Sequence, residues 1–187
     1  LAPISSKSQA TALQREKHES EVAERTFFHA APLSAKIRGA WHAYLTFEEA
    51  SDDPVRLKAL FGRCLVACAH YPEFWQRVAS WYESNNDLDS ARGIYTRACE
   101  IVLARNPQPH LDFASFEEGQ REFDRARSIL DGLLERQPLL VEALVERAEL
   151  ERRCSNDDDA LKLLLSYSKR DGLVDSEKAF LVLRRVR

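Results

Sequence analysis

Four glutamates recur at one even interval: Glu49, Glu83, Glu117 and Glu151. Periodic carboxylates could act as general acids or as metal ligands, but either role needs the groups close enough to share one proton or one ion. An interval of roughly 34 residues has room for two helices and two turns, so it sets successive glutamates one structural unit apart and they share neither. Cys64 and Cys68 would share a helix face and could offer two thiolates, yet no second Cys or His pair at ligand spacing completes a four-ligand zinc site. His29, His42, His70 and His110 are scattered, and the cysteines read as small buried apolar side chains of a reducing compartment. Asp157-Asp158-Asp159 lacks the spaced ligands, central glycine and distal glutamate of a calcium loop, and reads as the start of a helix. There is no glycine-rich phosphate loop and no Gly-x-Ser-x-Gly turn. No catalytic, cofactor-binding or metal-ligating residue is assigned, and the chain reads as a non-enzyme.

The same period organises the rest of the chain. Trp41 and Trp75 are one such interval apart, as are Arg63 and Arg97, while Pro72, Pro107 and Pro138 close successive stretches at nearly that interval. This predicts an all-α, right-handed helical-repeat solenoid of antiparallel helix pairs, about nine or ten helices without a sheet, in which each unit buries its apolar face against its neighbours. The expected divisions are a helix and connector over 1–33, repeats over 34–72, 73–107, 108–138 and 139–172, and the start of a fifth over 173–187. Residues 5–26 carry few apolar side chains and are expected to pack lightly on the array or lie beside it. Ser34 and Asp52-Asp53-Pro54 carry helix-start signals, and Gly119 is expected at a helix C-cap. Trp41, Tyr44, Phe47, Trp75, Trp81, Phe113 and Phe116 fall in phase with the apolar stripe and read as core, not as a stacking platform. Arg63 follows Glu49 at the same offset as Arg97 follows Glu83, which predicts an ion pair between the two helices of each of the first two repeats. Asp131 and Leu165 take the arginine's place in the next two repeats, so the pairing must fail or be rerouted there.

Apolar residues make up 44% of the chain, enough for a continuous core. No run is long and apolar enough to cross a membrane. The net charge of −3 is uneven: residues 37–168 hold 16 basic and 23 acidic side chains, while residues 169–187 hold 6 and 3. An acidic body does not draw in nucleic acid through its phosphates, so any RNA contact would come from the ends or a local patch. The first residues have no initiator Met and the last form an uncapped amphipathic helix, so the chain reads as a piece of a longer protein. On that last helix Phe180, Leu183 and Val186 form an apolar stripe, with Leu181 and Val182 adding area nearby, and these are the candidate interface residues.

Two motifs, Trp-x-x-Tyr-x-x-Phe-Glu at 41–48 and Ala-Arg-x-Ile-Tyr-x-Arg-Ala at 91–98, resemble half-a-tetratricopeptide repeats, a class known from RNA-processing proteins. A closer resemblance, over residues 25 to about 165, is to the pre-mRNA-processing factor 39 family. It is carried by Phe28-His-x-x-Pro-Leu33, Trp41 to Glu49, Arg63 to Trp75, Tyr95 to Cys99, Phe116-Glu117-Glu118 and Leu150-Glu151-Arg152-Arg153, the run 63–75 being the most specific. The repeat signature is Trp41, Tyr44, Glu49, Arg63, Trp75, Glu83, Arg97, Glu117 and Glu151. The resemblance implies a nuclear, non-catalytic scaffold of the U1 small nuclear ribonucleoprotein in 5′ splice-site recognition, with other proteins of that particle as partners. It also implies a homodimer of the full-length protein built through its repeats. A helical-repeat RNA binder, or a related scaffold of pre-mRNA 3′-end processing, is the alternative. The chain departs from the family pattern at Pro109-His110, where an opening Trp is expected, and in its fourth repeat, which lacks the aromatic positions.

Overall fold

The computed structural model describes residues 6–28, 30–51 and 53–184. They form ten α-helices and no strand among the described residues: α1 Ser6–Val22, α2 Ala35–Glu49, α3 Pro54–Ala67, α4 Pro72–Ser84, α5 Leu88–Arg97, α6 Pro107–Gly119, α7 Phe123–Arg136, α8 Val141–Arg153, α9 Asp157–Ser168 and α10 Asp175–Arg184. The all-α repeat architecture is the expected one. The chain divides into two compact units, Leu1–Trp81 and Tyr82–Arg187, with the boundary inside α4. We call α2, α4, α6, α8 and α10 the first helices of their pairs, and α3, α5, α7 and α9 the second.

Local chemistry explains the helix starts. Ser34 Oγ accepts from Ile37 N–H, Asp53 accepts from Arg56 N–H, and Asp87 accepts from Ser90 N–H, each filling an amide that the first turn leaves unpaired. Pro54 and Pro107 sit in the first turns of α3 and α6, where a missing N–H costs nothing. Asp157, Asp158 and Asp159 lie in the first turn of α9, where the helix dipole favours them, but the capping position belongs to Asn156 and carries no side-chain cap bond. Its amide instead donates to Glu151 Oε2 at 2.9 Å.

The turns from first to second helix in the unit Tyr82–Arg187 share one backbone device. Asn86, Arg121 and Ser155 have φ of 58°, 62° and 62°. In each turn the next residue's N–H reaches back five positions, at 2.9 Å: Asp87 to Tyr82 O, Glu122 to Glu117 O, Asn156 to Glu151 O. These are Schellman closures, which satisfy carbonyls left over at a helix end. The left-handed residue of the α6 turn is therefore Arg121. Gly119, expected at the cap, lies inside α6, because the closure needs φ above zero two residues further on. A side chain is strained in that conformation and glycine is not. Arg121→Gly is accordingly expected to raise stability by about 0.5–1 kcal/mol, read from the midpoint of a thermal melt.

In the unit Leu1–Trp81 the core holds Trp41, Leu45, Phe61, Cys64, Phe74, Trp75 and Val78, all buried. Trp75 Nε1 donates to Ala69 O at 2.9 Å, so its polar atom is satisfied inside the core. In the unit Tyr82–Arg187 one cluster joins Leu133, Leu144, Ala148, Leu164, Tyr167 and Leu181, from α7 to α10, and a second joins Ala114, Ala126, Leu130 and Leu150.

Helix α1 corrects the expectation of light packing. It packs along α2, its Val22 is fully buried, and the His18 ring stacks 5.4 Å from Tyr44 and lies 5.1 Å from Phe47. Tyr95 of α5 holds the same relation to Phe113 and Phe116, at 5.4 Å and 5.3 Å. α1 thus stands to α2 as a second helix stands to the first helix of the next pair. Its attachment rests mainly on polar side chains, which is why its apolar pattern is faint.

Candidate interaction surfaces

Carboxylates and guanidinium groups are matched along both units. Glu48, Glu117 and Glu151 are buried, at 0%, 0% and 5% exposure, near the ends of α2, α6 and α8. Each meets an arginine from the preceding second-type helix: Arg15, Arg92 and Arg127. The contact is two-pronged, with Nε on Oε1 and Nη2 on Oε2, the latter at 3.0 Å in all three pairs. The residue before each glutamate is apolar, and the guanidinium carbons of Arg15 and Arg92 lie 5.7 Å from the rings of Phe47 and Phe116. For a carboxylate this deep the planar fork supplies the hydrogen bonds that water would make at the surface. The pairing with Arg127 pulls the Glu151 carboxyl down to about 2, aided by Asn156 and Arg147 and opposed by burial.

A second layer joins one first helix to the next. Glu49 of α2 receives Arg77 of α4 at 2.9 and 2.7 Å, and Arg77 also reaches the His42 carbonyl and Thr46 Oγ1. Glu118 of α6 receives Arg153 of α8, whose Nη2 lies 2.8 Å from Oε2. Glu149 of α8 receives Arg152 at 3.0 Å and Arg184 of α10 at 3.1 Å.

The pairing expected between Glu49 and Arg63 is therefore corrected. Glu49 pairs with Arg77, Arg63 pairs with Glu19 of α1 at 2.7 Å on both oxygens, and Glu83 accepts from the Tyr95 hydroxyl at 2.9 Å. Successive helix residues point about 100° apart, so a one-residue slip sends a side chain to another neighbour. The buried carboxylate of α2 is Glu48, which follows Trp41 at the same offset as Glu117 follows His110 and Glu151 follows Leu144. The even interval that begins at Glu49 therefore counts from the wrong residue. Where Asp131 takes the arginine's place, Glu117 pairs with Arg92, and Arg147 of α8 reaches Asp131 at 2.9 Å. Arg147 stands where α2 has Tyr44 and α6 has Phe113, and it also contacts Glu151. His110 takes the place of the missing Trp. It is buried, its Nδ1 lies 3.0 Å from Asn106 O, and its Nε2 lies 3.0 Å from Arg136 Nη2. Arg136 can only donate, so Nε2 accepts and the imidazole is neutral; burial first, and the Arg136 charge with it, lower its pKa.

Sequence reasoning missed Arg15, Glu48, Arg92, Arg127 and Arg147. A usable signal was present: an apolar residue followed by glutamate at 47–48, 116–117 and 150–151, each closing a first helix.

At the far end, α10 turns Leu181 fully inward while Phe180 and Val182 are 43% and 45% exposed. Leu181, expected to widen the exposed stripe, is core instead. The Arg184 guanidinium carbon lies 5.6 Å from the Phe180 ring. The side chain of Leu183, and all of Val186, lie outside the described residues. No group of three His, Cys, Asp or Glu side chains placed to hold a metal occurs among the described residues, and none of their helices is long and apolar enough to cross a membrane.

Helix pairs tied by aromatic positions and Arg–Glu forks define a helical-repeat protein of the half-a-tetratricopeptide class. The family model described as PRP39 C-terminal HAT repeat matches residues 13–153. The chain belongs to that family. Its relatives include proteins described as pre-mRNA-processing factor 39 from Xenopus laevis, 35% identical over 89% of this chain and 26% of the relative. The counterpart from Danio rerio is 43% identical over 57% of this chain and 14% of its own length, and that from Schizosaccharomyces pombe 36% identical over 80% and 25%. The chain spans about a quarter of the length of the Xenopus and Schizosaccharomyces relatives.

Acid should test the forks. Glu151 sits at about 2 when folded against an ordinary 4.5. Between those values the unfolded chain binds more protons, so the stabilisation is full above pH 4.5 and is lost as pH falls toward 2. The loss is on the order of 3 kcal/mol for this group. Denaturant melts at pH 6, 4 and 3 check it, and Glu151→Gln should flatten the dependence across the lower interval.

Proposed function

We propose that this chain is a non-catalytic scaffold segment acting in pre-mRNA splicing, within the U1 small nuclear ribonucleoprotein at 5′ splice-site recognition in the nucleus. It works through protein–protein contacts and self-association. The observation that carries this reading is the family match across residues 13–153, on helices whose buried charged groups pair with one another. A repeat array of this kind offers surface, not a reactive constellation. Copurification of the tagged protein from nuclear extract, followed by mass spectrometry, tests it: U1 particle proteins are expected to be enriched, and their absence would redirect the reading. Titration with short RNA at two salt concentrations separates the RNA-binding alternative, since tight, salt-sensitive binding would make RNA the direct partner.

For self-association we propose the terminal segment, through Phe180, Leu183 and Val186. Two copies of the full-length protein would meet there in a symmetric, isologous interface. Light scattering at micromolar concentration is expected to show a dimer for the full-length protein and a monomer or weak dimer for residues 1–187. A monomeric full-length protein would remove the proposal.

A further inference from the structure

A groove of about 350 Å³ lies on α7 and α9, lined by Asp131, Leu134, Glu135, Pro138, Tyr167 and Arg170. Its lining residues are other than the candidate interface residues Phe180, Leu183 and Val186, and the fork pairs do not use it. Its floor is apolar, with Leu134, Pro138 and the buried Tyr167. Its rim on α7 carries two carboxylates one turn apart, Asp131 and Glu135. The Arg170 guanidinium already covers the Tyr167 ring, 4.3 Å from its centroid, closer than the arginine–ring contacts at Phe47, Phe116 and Phe180. Arg170 is tethered there by Nη1 on Pro138 O at 2.9 Å.

We infer that this groove is a receptor for an arginine side chain of a partner protein, and that Arg170 covers its ring face in the partner's absence. An aromatic face beside carboxylates suits a guanidinium better than an ammonium: the planar group stacks on the ring while its edge donates to an acid. The chain's own arginine shows that the ring accepts one. The acids are not both consumed. Asp131 is 51% exposed at its side chain and one oxygen takes Arg147 Nε, while Glu135 is exposed and enters none of the ion pairs among the described residues. Arg147 holds one Asp131 oxygen and reaches on to Glu151, and Arg136 bonds Gly132 O and His110. The unit Tyr82–Arg187 holds 17 basic and 21 acidic side chains, a field that favours a cationic partner. This site stands independently of the U1 and dimer readings, and its failure would leave both intact.

The test is an NMR titration of the isotope-labelled chain with acetyl-Gly-Arg-Gly-amide, and with its lysine and glutamate counterparts. Saturable shifts are expected at Leu134, Glu135 and Tyr167 with the arginine peptide, weaker ones with lysine and none with glutamate. Glu135→Lys should weaken binding about tenfold, and Arg170→Ala should tighten it about tenfold by vacating the ring. Arg170→Gln repeats the second arm while keeping a donor for Pro138 O, should the alanine variant melt early. Binding unchanged or weakened in the Arg170 variants overturns the inference, as do shifts that map elsewhere or equal binding of the lysine peptide.

Discussion

Replacing Arg92 with alanine is expected to lower the unfolding free energy by about 3–5 kcal/mol. Glu117 is fully buried, and Arg92 donates to both oxygens of its carboxylate. Removing the arginine leaves a buried carboxylate without its hydrogen-bond partner. Arg127→Ala is the internal comparison. Glu151 would still hold Arg147 and Asn156, so the loss should be smaller. Replacing Arg92 and Glu117 together with leucine should recover much of the single-mutant loss, because no group is then left unpaired. Denaturant melts of Arg92→Leu, Glu117→Leu and the double variant give the coupling directly. Additive losses would show that the fork contributes no pairwise energy.

Trp75→Ala should cost a similar amount, about 3–5 kcal/mol. The side chain is among the largest that are fully buried, and the indole N–H closes on Ala69 O in the turn before α4. Alanine would leave both a cavity and a buried carbonyl without its donor. Trp75→Phe separates these, since it keeps most of the volume and loses only the hydrogen bond, at about 1–3 kcal/mol. A change below about 1 kcal/mol for the alanine variant would contradict the burial described above.

Helices and apolar positions were legible because they obey local rules. The stripes of Trp41, Leu45, Trp75 and Val78 follow the helix period, and Pro54, Ser34 and Asp53 mark starts by what their own atoms can or cannot bond. Charge pairing was not legible for a different reason. Which arginine meets Glu117 depends on rotation and stagger between helices 25 residues apart in the chain, and a one-residue error of phase reassigns every partner. Glu49 and Glu48 show this: neighbours in sequence, one bonded to α4 and the other to α1. The close attachment of α1 was not legible because Arg15, His18 and Glu19 hold it, none of which registers as apolar pattern.

Each Arg–Glu fork also has a mechanical meaning. A single hydrogen bond is a hinge about which two helices can pivot, but two parallel bonds from one rigid guanidinium to one carboxylate act as a short plate bolted at two points. To slide one helix along the other, or to roll it about its own axis, both bonds of that plate must break together in a region closed to water. At each forked contact, then, the helix pair should respond to load as a stiff joint with a definite yield point, stretching little before it gives way abruptly.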